Sequence, residues 1–179
     1  MIKEKIFPYS NLVPEIASDV FLAPGVKIIG DVKIGEGSSI WYNSVIRGDV
    51  NFIRIGSLTN IQDSCVLHVT GKNPLIIGNK VTVGHSAVLH GATIMDLTLI
   101  GIGGIILDGS IIEEKSMVAA GSVVKPNFVV PSGKLAAGVP AKIVRDLTNE
   151  EMEEFENSAN RYREYAKTSY NSIQNRDKK

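Results

Sequence analysis

Large aliphatic residues recur along this chain at a spacing of six, from Leu22 to Ala136. They are Leu22, Ile28, Ile34, Ile40, Ile46, Ile55, Ile61, Leu67, Ile77, Val83, Leu89, Ile94, Ile100, Ile106, Ile112, Val118, Val124, Val130 and Ala136. Fifteen of the eighteen steps are six residues; the others are nine (Ile46 to Ile55), ten (Leu67 to Ile77) and five (Leu89 to Ile94). In eleven units the fifth position is small, at Ser38, Ser44, Thr59, Cys65, Ala87, Thr93, Thr98, Gly104, Ser110, Ser116 and Ser122. A large opener filling the axis and a small residue easing the turn suit a narrow tube. Glycine follows the opener at Gly35, Gly56, Gly78, Gly84 and Gly101, where a corner is crowded. A period of six predicts a parallel β-helix, three units to each triangular coil, with neighbouring coils stacked as parallel strands. The competing architecture, a β-sandwich, has alternating strands separated by Pro/Asn/Gly turns; the unbroken period argues against it.

The pattern changes after Arg145. Thr148-Asn149-Glu150-Glu151 reads as a capping box, with Thr148 as N-cap and Glu151 reaching back. Met152, Phe155, Ala159, Tyr162, Ala166 and Tyr170 then recur at helical spacing. The chain therefore reads as mainly β: a β-helix domain over 1–147 with repeats over about 22–141, an amphipathic helix over 148–170 packed on its outside, and a polar tail over 171–179 that frays. The aromatic stripe and Trp41, the only tryptophan, read as packing.

Composition narrows the classes of function. The 179 residues are 44% hydrophobic, enough for one cored domain, and the formal net charge is zero. With no basic surplus, neither a nucleic acid nor a polybasic membrane contact is expected. No apolar run approaches a membrane span. The opening Met1-Ile2-Lys3-Glu4-Lys5-Ile6-Phe7 lacks the apolar core of a signal peptide, which makes the cytoplasm the expected location. The single cysteine, Cys65, allows no intramolecular disulfide and falls at a small inward position, a structural place.

All three histidines lie within 23 consecutive positions. His68 is the second residue of the unit opened by Leu67, and His90 the second of the unit opened by Leu89. Three units, one coil, separate them, so the two share a column at a strand spacing of roughly 4.8 Å. The four extra residues bulge out as a loop at Val69–Pro74. His85 is the third residue of the unit opened by Val83, across a corner and pointing away from the pair. One chain thus offers two stacked ligands and a third elsewhere. A threefold oligomer resolves this, because His85 of a neighbour then meets His68 and His90, giving three equivalent sites. If the nine-residue step after Ile46 is one unit with a three-residue insertion, Arg47 lies one coil below His68. Asp63, following Gln62, lies in the column of His85, and across a subunit boundary it comes near Arg47. Three neutral imidazoles with an open fourth position suit zinc, which lowers the pKa of a bound water to about 7 and supplies hydroxide. Iron, cobalt or nickel accept the same ligands.

These residues resemble the gamma-class carbonic anhydrases and their relatives among hexapeptide-repeat proteins, over about residues 10 to 165. The segments that carry the resemblance are Val45-Ile46-Arg47-Gly48-Asp49, Asn60-Ile61-Gln62-Asp63, Val66-Leu67-His68, Val83-Gly84-His85 and Leu89-His90-Gly91. The later Ala137-Gly138-Val139-Pro140-Ala141-Lys142-Ile143-Val144-Arg145 looks equally like the tail of hexapeptide acyltransferases. The resemblance implies a left-handed winding and a homotrimer with a metal at each subunit interface, His68 and His90 from one chain and His85 from the next. It implies that Arg47 and Asp63 link subunits, that Asp49 orders the Arg47 loop or the interface, and that Gln62 hydrogen-bonds near the reacting hydroxide. The implied reaction is reversible hydration of carbon dioxide to bicarbonate.

The sequence departs from the family prototype in two places. The long acidic loop with its proton-shuttling glutamate is replaced by Val69-Thr70-Gly71-Lys72-Asn73-Pro74, and a second glutamate by Val50. Loss of a shuttle limits the rate without abolishing the chemistry, since buffer can carry the proton. The prototype's C-terminal asparagine near the metal has no secure counterpart, and Asn160 is not assigned to its place. Two other functions remain open on the same fold: a coenzyme A-dependent acyltransferase, and a metal-binding trimer with a non-hydratase role.

Overall fold

The computed structural model describes residues 4–176. Its two-residue strands stack as parallel pairs in a twelve-stranded and an eight-stranded sheet, which wind together as a left-handed β-helix. Three columns of openers form the three faces. On the first face Ile28, Ile46, Leu67, Leu89, Ile106 and Val124 stand in register; on the second, Ile16, Ile34, Ile55, Ile77, Ile94, Ile112 and Val130; on the third, Leu22, Ile40, Ile61, Val83, Ile100, Val118 and Ala136. All of the repeat openers except Leu22 are buried. Each fully buried aliphatic contributes roughly 1.5–3 kcal/mol of transfer free energy, which is the main force holding the tube. Leu22 is half-exposed because it closes the column at the open end, where no coil lies below it.

The small inward residue is set by the opener that follows it, standing two positions before. Where the unit is shortened to five, Ala92 takes the inward place and Thr93 is half-exposed, not inward as counting from Leu89 suggests. The coil also begins earlier than the repeats. Ile6–Phe7 pairs with Ile28–Ile29, and Glu15–Ile16 with Lys33–Ile34. At the other end the coil gives way to an antiparallel hairpin, Lys134–Gly138 against Ala141–Asp146.

The corners follow a rule that the hydrophobic pattern does not display. The third residue after the opener has positive φ in most units, including Asn43, Leu58, Ser64, Lys80, Ser86, Leu97, Lys115 and Asn127. One left-handed residue at each such corner lets the chain turn and lay its next strand against the neighbouring face. The rule fails after Ile28, Ile46, Leu67 and Leu89, all at the same corner of the first face. There Lys27–Ile34 and Val45–Ile55 run on as long strands, and three extra residues enter between the pairs Gly30–Gly48 and Val32–Ile53. The loop after His68 is closed by Thr70 N–H donating to Asn73 O (3.1 Å) and Asn73 N–H donating to Thr70 Oγ1 (2.9 Å).

Helix α1, Asn149–Arg176, lies on the third face. Its capping box forms: Thr148 N–H donates to Glu151 Oε2 (2.9 Å) and Glu151 N–H to Thr148 Oγ1 (3.3 Å). Phe155, Ala159 and Ala166 are buried, and Tyr162 packs edge-on against Trp41 at 5.6 Å between centroids. Two details differ from the helical pattern. The helix extends past Tyr170 to Arg176, where Ile173 packs on the core and supplies the last apolar contact. Tyr170 itself is 56% exposed and does not belong to the packed stripe. Residues 177–179, at the end of the expected frayed tail, lie outside the described residues, as do Met1–Lys3 of the segment read for a signal peptide. Among the described residues no helix is long and apolar enough to cross a membrane.

Candidate metal centre

The irregular corner of the first face gathers four of the candidate residues. Arg47 pairs in register with His68, and His68 with His90, so the three stand in one column on consecutive coils. The inserted residues bring Asp49 back over this column. Asp49 Oδ2 accepts from Arg47 Nη1, and Asp49 Oδ1 lies 3.1 Å from His68 Nε2. Burial pushes the Asp49 carboxyl up, but hydrogen bonds from His68, the Val50 amide and Arg47 outweigh it, and its pKa ends below the ordinary carboxylate value. His68 Nδ1 stands 3.0 Å from His90 Nε2. The far nitrogen of His90, Nδ1, lies 2.6 Å from Asp108 Oδ1.

These contacts constrain the tautomers. An ionised carboxylate only accepts, so His68 carries its proton on Nε2 and His90 on Nδ1. In the neutral rings the two nitrogens that face each other then both present lone pairs. A cation held between them satisfies both. Their separation is close to the ~3.3 Å expected for two nitrogens on a tetrahedral zinc with bonds of about 2.0–2.1 Å. The carboxylate–imidazole pairing is also the arrangement by which outer partners orient metal-ligating histidines.

His85 lies apart, in the turn of the third-face coil, on the same corner as Asp63 one coil below. Its Nδ1 is 2.7 Å from Asp63 Oδ2, while Asp63 Oδ1 accepts from the Tyr42 amide (3.1 Å). This leaves His85 Nε2 as the ring's free nitrogen, in a cleft of about 330 Å3 that Trp41, Tyr162 and Tyr165 also line. The corner is tight. A Cβ on Gly84 would stand 2.7 Å from Ile102 N and 2.9 Å from Ile100 O, so only glycine lets the next coil stack there. Gln62, beside Asp63, is buried and donates through Nε2 to Asn60 Oδ1 (3.1 Å). Cys65 is buried with its thiol pushed up to about 12 by desolvation, a packing residue without a nucleophile's thiolate.

Within one chain, then, Arg47, Asp49, His68 and His90 come together, and Asp63 and His85 form a second pair. Among the described residues, no three His, Cys, Asp or Glu side chains of one chain cluster closely enough to hold a metal. Arg47 and Asp63 each have a different partner within the chain, Asp49 and His85. Asn160 is exposed on α1 and is not among the residues lining the His85 cleft. Asp108 is the site residue that sequence reasoning missed. It follows Ile106 by two positions, one coil above His90; the count that stacks His90 on His68 lands on its neighbour Leu107, so the register points to the place but not to the residue.

Comparison with known proteins gives the chain its family. A family described as bacterial transferase hexapeptide (six repeats) matches residues 14–48. A carbonic anhydrase of Geobacillus kaustophilus is 49% identical over 157 residues, covering 88% of this chain and 86% of its own length. Gamma carbonic anhydrase 2 of Arabidopsis thaliana, a mitochondrial protein, is 51% identical over 155 residues, 83% of this chain; the match spans only 56% of that longer relative. Among solved structures, a hexapeptide transferase family protein from Anaplasma phagocytophilum superposes with a TM-score of 0.90 at 42% identity, covering 93% of this chain and 98% of that one. On its repeat, its histidine column and these relatives, the chain belongs to the gamma carbonic anhydrase family of hexapeptide-repeat proteins.

Proposed function

We propose that the chain is a metal-dependent carbonic anhydrase acting as a homotrimer, with His68 and His90 of one subunit and His85 of the next sharing one zinc ion. Iron or cobalt fits the same nitrogens. The observation that carries this reading is the pair of imidazole nitrogens 3.0 Å apart, each ring anchored behind by a carboxylate. His85 matches the pattern, with Asp63 behind Nδ1 and Nε2 free. A metal bound there supplies Lewis acidity, lowering the pKa of a coordinated water so that hydroxide is available near neutral pH.

The remaining roles fall to the chain's own groups. Asp49, Asp63 and Asp108 hold the three rings in one tautomer and orientation. Arg47 balances the charge of Asp49, and with Asp63 it lies at the subunit boundary. Gln62 hydrogen-bonds the reacting oxygen. The reaction takes carbon dioxide and water to bicarbonate and a proton, and that proton leaves through buffer, since the Val69–Pro74 loop carries no carboxylate. An outward column of aliphatics, Val45, Val66, Val88, Ile105 and Val123, lies beside the histidine column and supports a subunit contact on this face. A coenzyme A-dependent transferase needs one general-base histidine and gives the close His68–His90 pair no task.

The test is stopped-flow carbon dioxide hydration by anaerobically purified, metal-quantified protein in concentrated buffer, beside His85→Ala. Metal-dependent hydration that disappears in the variant is expected. A fully metal-loaded trimer that hydrates no carbon dioxide would overturn the proposal.

A further inference from the structure

Under α1 the third face carries an outward column of Phe21, Ser39, Asn60, Thr82, Leu99, Met117 and Leu135. A helix docking on a sheet is best served by apolar residues, and the two ends of this column supply them. Its middle does not. Asn60 and Thr82 are polar and at most 4% exposed, and they stand on the coils that continue into Gln62–Asp63 and His85. Opposite them α1 places Ser158, buried beside Ala159 in an otherwise apolar face. Buried polar groups are costly unless fully bonded, and these are bonded to one another. Ser158 Oγ lies 3.2 Å from Thr82 Oγ1, Thr82 Oγ1 accepts from Asn60 Nδ2 (2.9 Å), and Asn60 Oδ1 accepts from Gln62 Nε2 (3.1 Å).

The chain of bonds has a direction. Asn60 Nδ2 also faces the Val81 carbonyl, at 3.5 Å, and a carbonyl only accepts. Asn60 must therefore turn its NH2 toward Val81 and Thr82 and its oxygen toward Gln62. Gln62 must in turn donate with Nε2, which leaves its Oε1 on the opposite side of the amide as an acceptor. None of the described side chains leaves a buried polar atom unsatisfied, and Oε1 has no partner among the described residues, so it is not wholly shut off from solvent.

We propose that Thr82 and Ser158 are positioning residues that fix, through Asn60, the orientation in which Gln62 offers its side-chain oxygen to the reacting O–H group. The inference rests on the carbonic anhydrase reading for what Gln62 does, but not for how its amide is held. It makes the docking of the C-terminal helix part of the site's construction. Without Thr82 Oγ1 and Ser158 Oγ, only the long 3.5 Å contact to the Val81 carbonyl still sets the Asn60 amide orientation, and the hold on Gln62 weakens with it.

The experiment compares Thr82→Val, Ser158→Ala and the conservative Thr82→Ser in the intact metal-loaded protein, alone and combined with Gln62→Ala. Thr82→Val is expected to lower kcat for carbon dioxide hydration about five- to tenfold, the scale of one hydrogen bond. KM, metal content and oligomeric state stay unchanged, Thr82→Ser restores kcat, and Thr82→Val costs nothing more once Gln62 is alanine. Unchanged kcat in Thr82→Val, or a loss that persists undiminished beside Gln62→Ala, would overturn the proposal. A readout independent of activity separates it from the carbonic anhydrase reading: the 1H–15N signals of the Gln62 side-chain amide. These are expected to be shifted and protected from exchange in the wild type and to become solvent-like in Thr82→Val and Ser158→Ala. Signals unaffected by both variants would overturn it even if the protein hydrates no carbon dioxide, and loss of protection would sustain it in the same case.

Discussion

Three aspartates, each from a different coil, fix three imidazole rings, and in this the site depends on single residues. Asp108 is the sharpest test, because among the described residues its carboxylate bonds the ring of His90 alone. Asp108→Ala is expected to weaken metal affinity roughly 10–100-fold, the usual cost of losing an outer partner, measured by competition with a chelator; unchanged affinity would remove Asp108 from the centre. Proton release is also decided by single residues. Val50, 55% exposed, follows Asp49 at the edge of the site. Val50→Glu is expected to raise the hydration rate in dilute buffer and to have little effect in concentrated buffer, where stopped-flow traces at several buffer concentrations separate the two limits. How far the site can be read from residues alone follows from the register. Counting units stacks Arg47, His68 and His90 and puts Asp63 under His85, because a strict period turns sequence distance into height along the tube. The partners that Asp49 and Asp63 take within the chain are side-chain matters on which the count is silent.

At the scale of the element, the departures from the repeat coincide with the candidate site. The third residue after the opener is not left-handed at the first-face corner after Ile46, Leu67 and Leu89, where the strands run on through Arg47, His68 and His90. The hydrophobic pattern gives the openers but not this corner rule, because leucine, lysine, serine and asparagine all occupy the left-handed position and only the backbone reveals it. Gly84→Ala, whose Cβ would press on the backbone of the coil above, is expected to destabilise the protein by about 1–3 kcal/mol and to lower metal binding through His85; denaturant unfolding and metal titration read the two effects. The helix carries its own titratable fastening. Glu151 accepts a two-pronged bond from Arg145 and a further bond from the Thr148 amide, and these lower its pKa to about 2. A carboxyl depressed on folding stabilises the folded state above its unfolded value near 4.5 and loses that contribution as pH falls through its folded value. Trp41, packed on Tyr162, reports helix docking by fluorescence. The signal is expected to hold at pH 5 and to change as acid approaches pH 2, and Arg145→Ala is expected to move the change to higher pH. An acid transition identical in that variant would remove the Arg145–Glu151 pair from helix docking.

The whole molecule divides its three faces between two tasks. α1 covers the third face, while the first displays the histidine column beside a run of outward aliphatics. A single chain carries the candidate ligands at two different corners, His68–His90 after the first face and His85–Asp63 after the third. If the two sets of ligands meet between subunits, mixed trimers of complementary variants recover sites that neither parent holds. His85→Ala chains and His90→Ala chains, each lacking one half, are purified, shown to bind no zinc at the site, then unfolded together and reassembled. Any mixed trimer has one interface at which the intact His85 of one chain faces the intact His68–His90 of the other, so about a quarter of the wild-type zinc sites should return. A reassembled mixture that binds no more zinc than its separate parents would contradict a shared site.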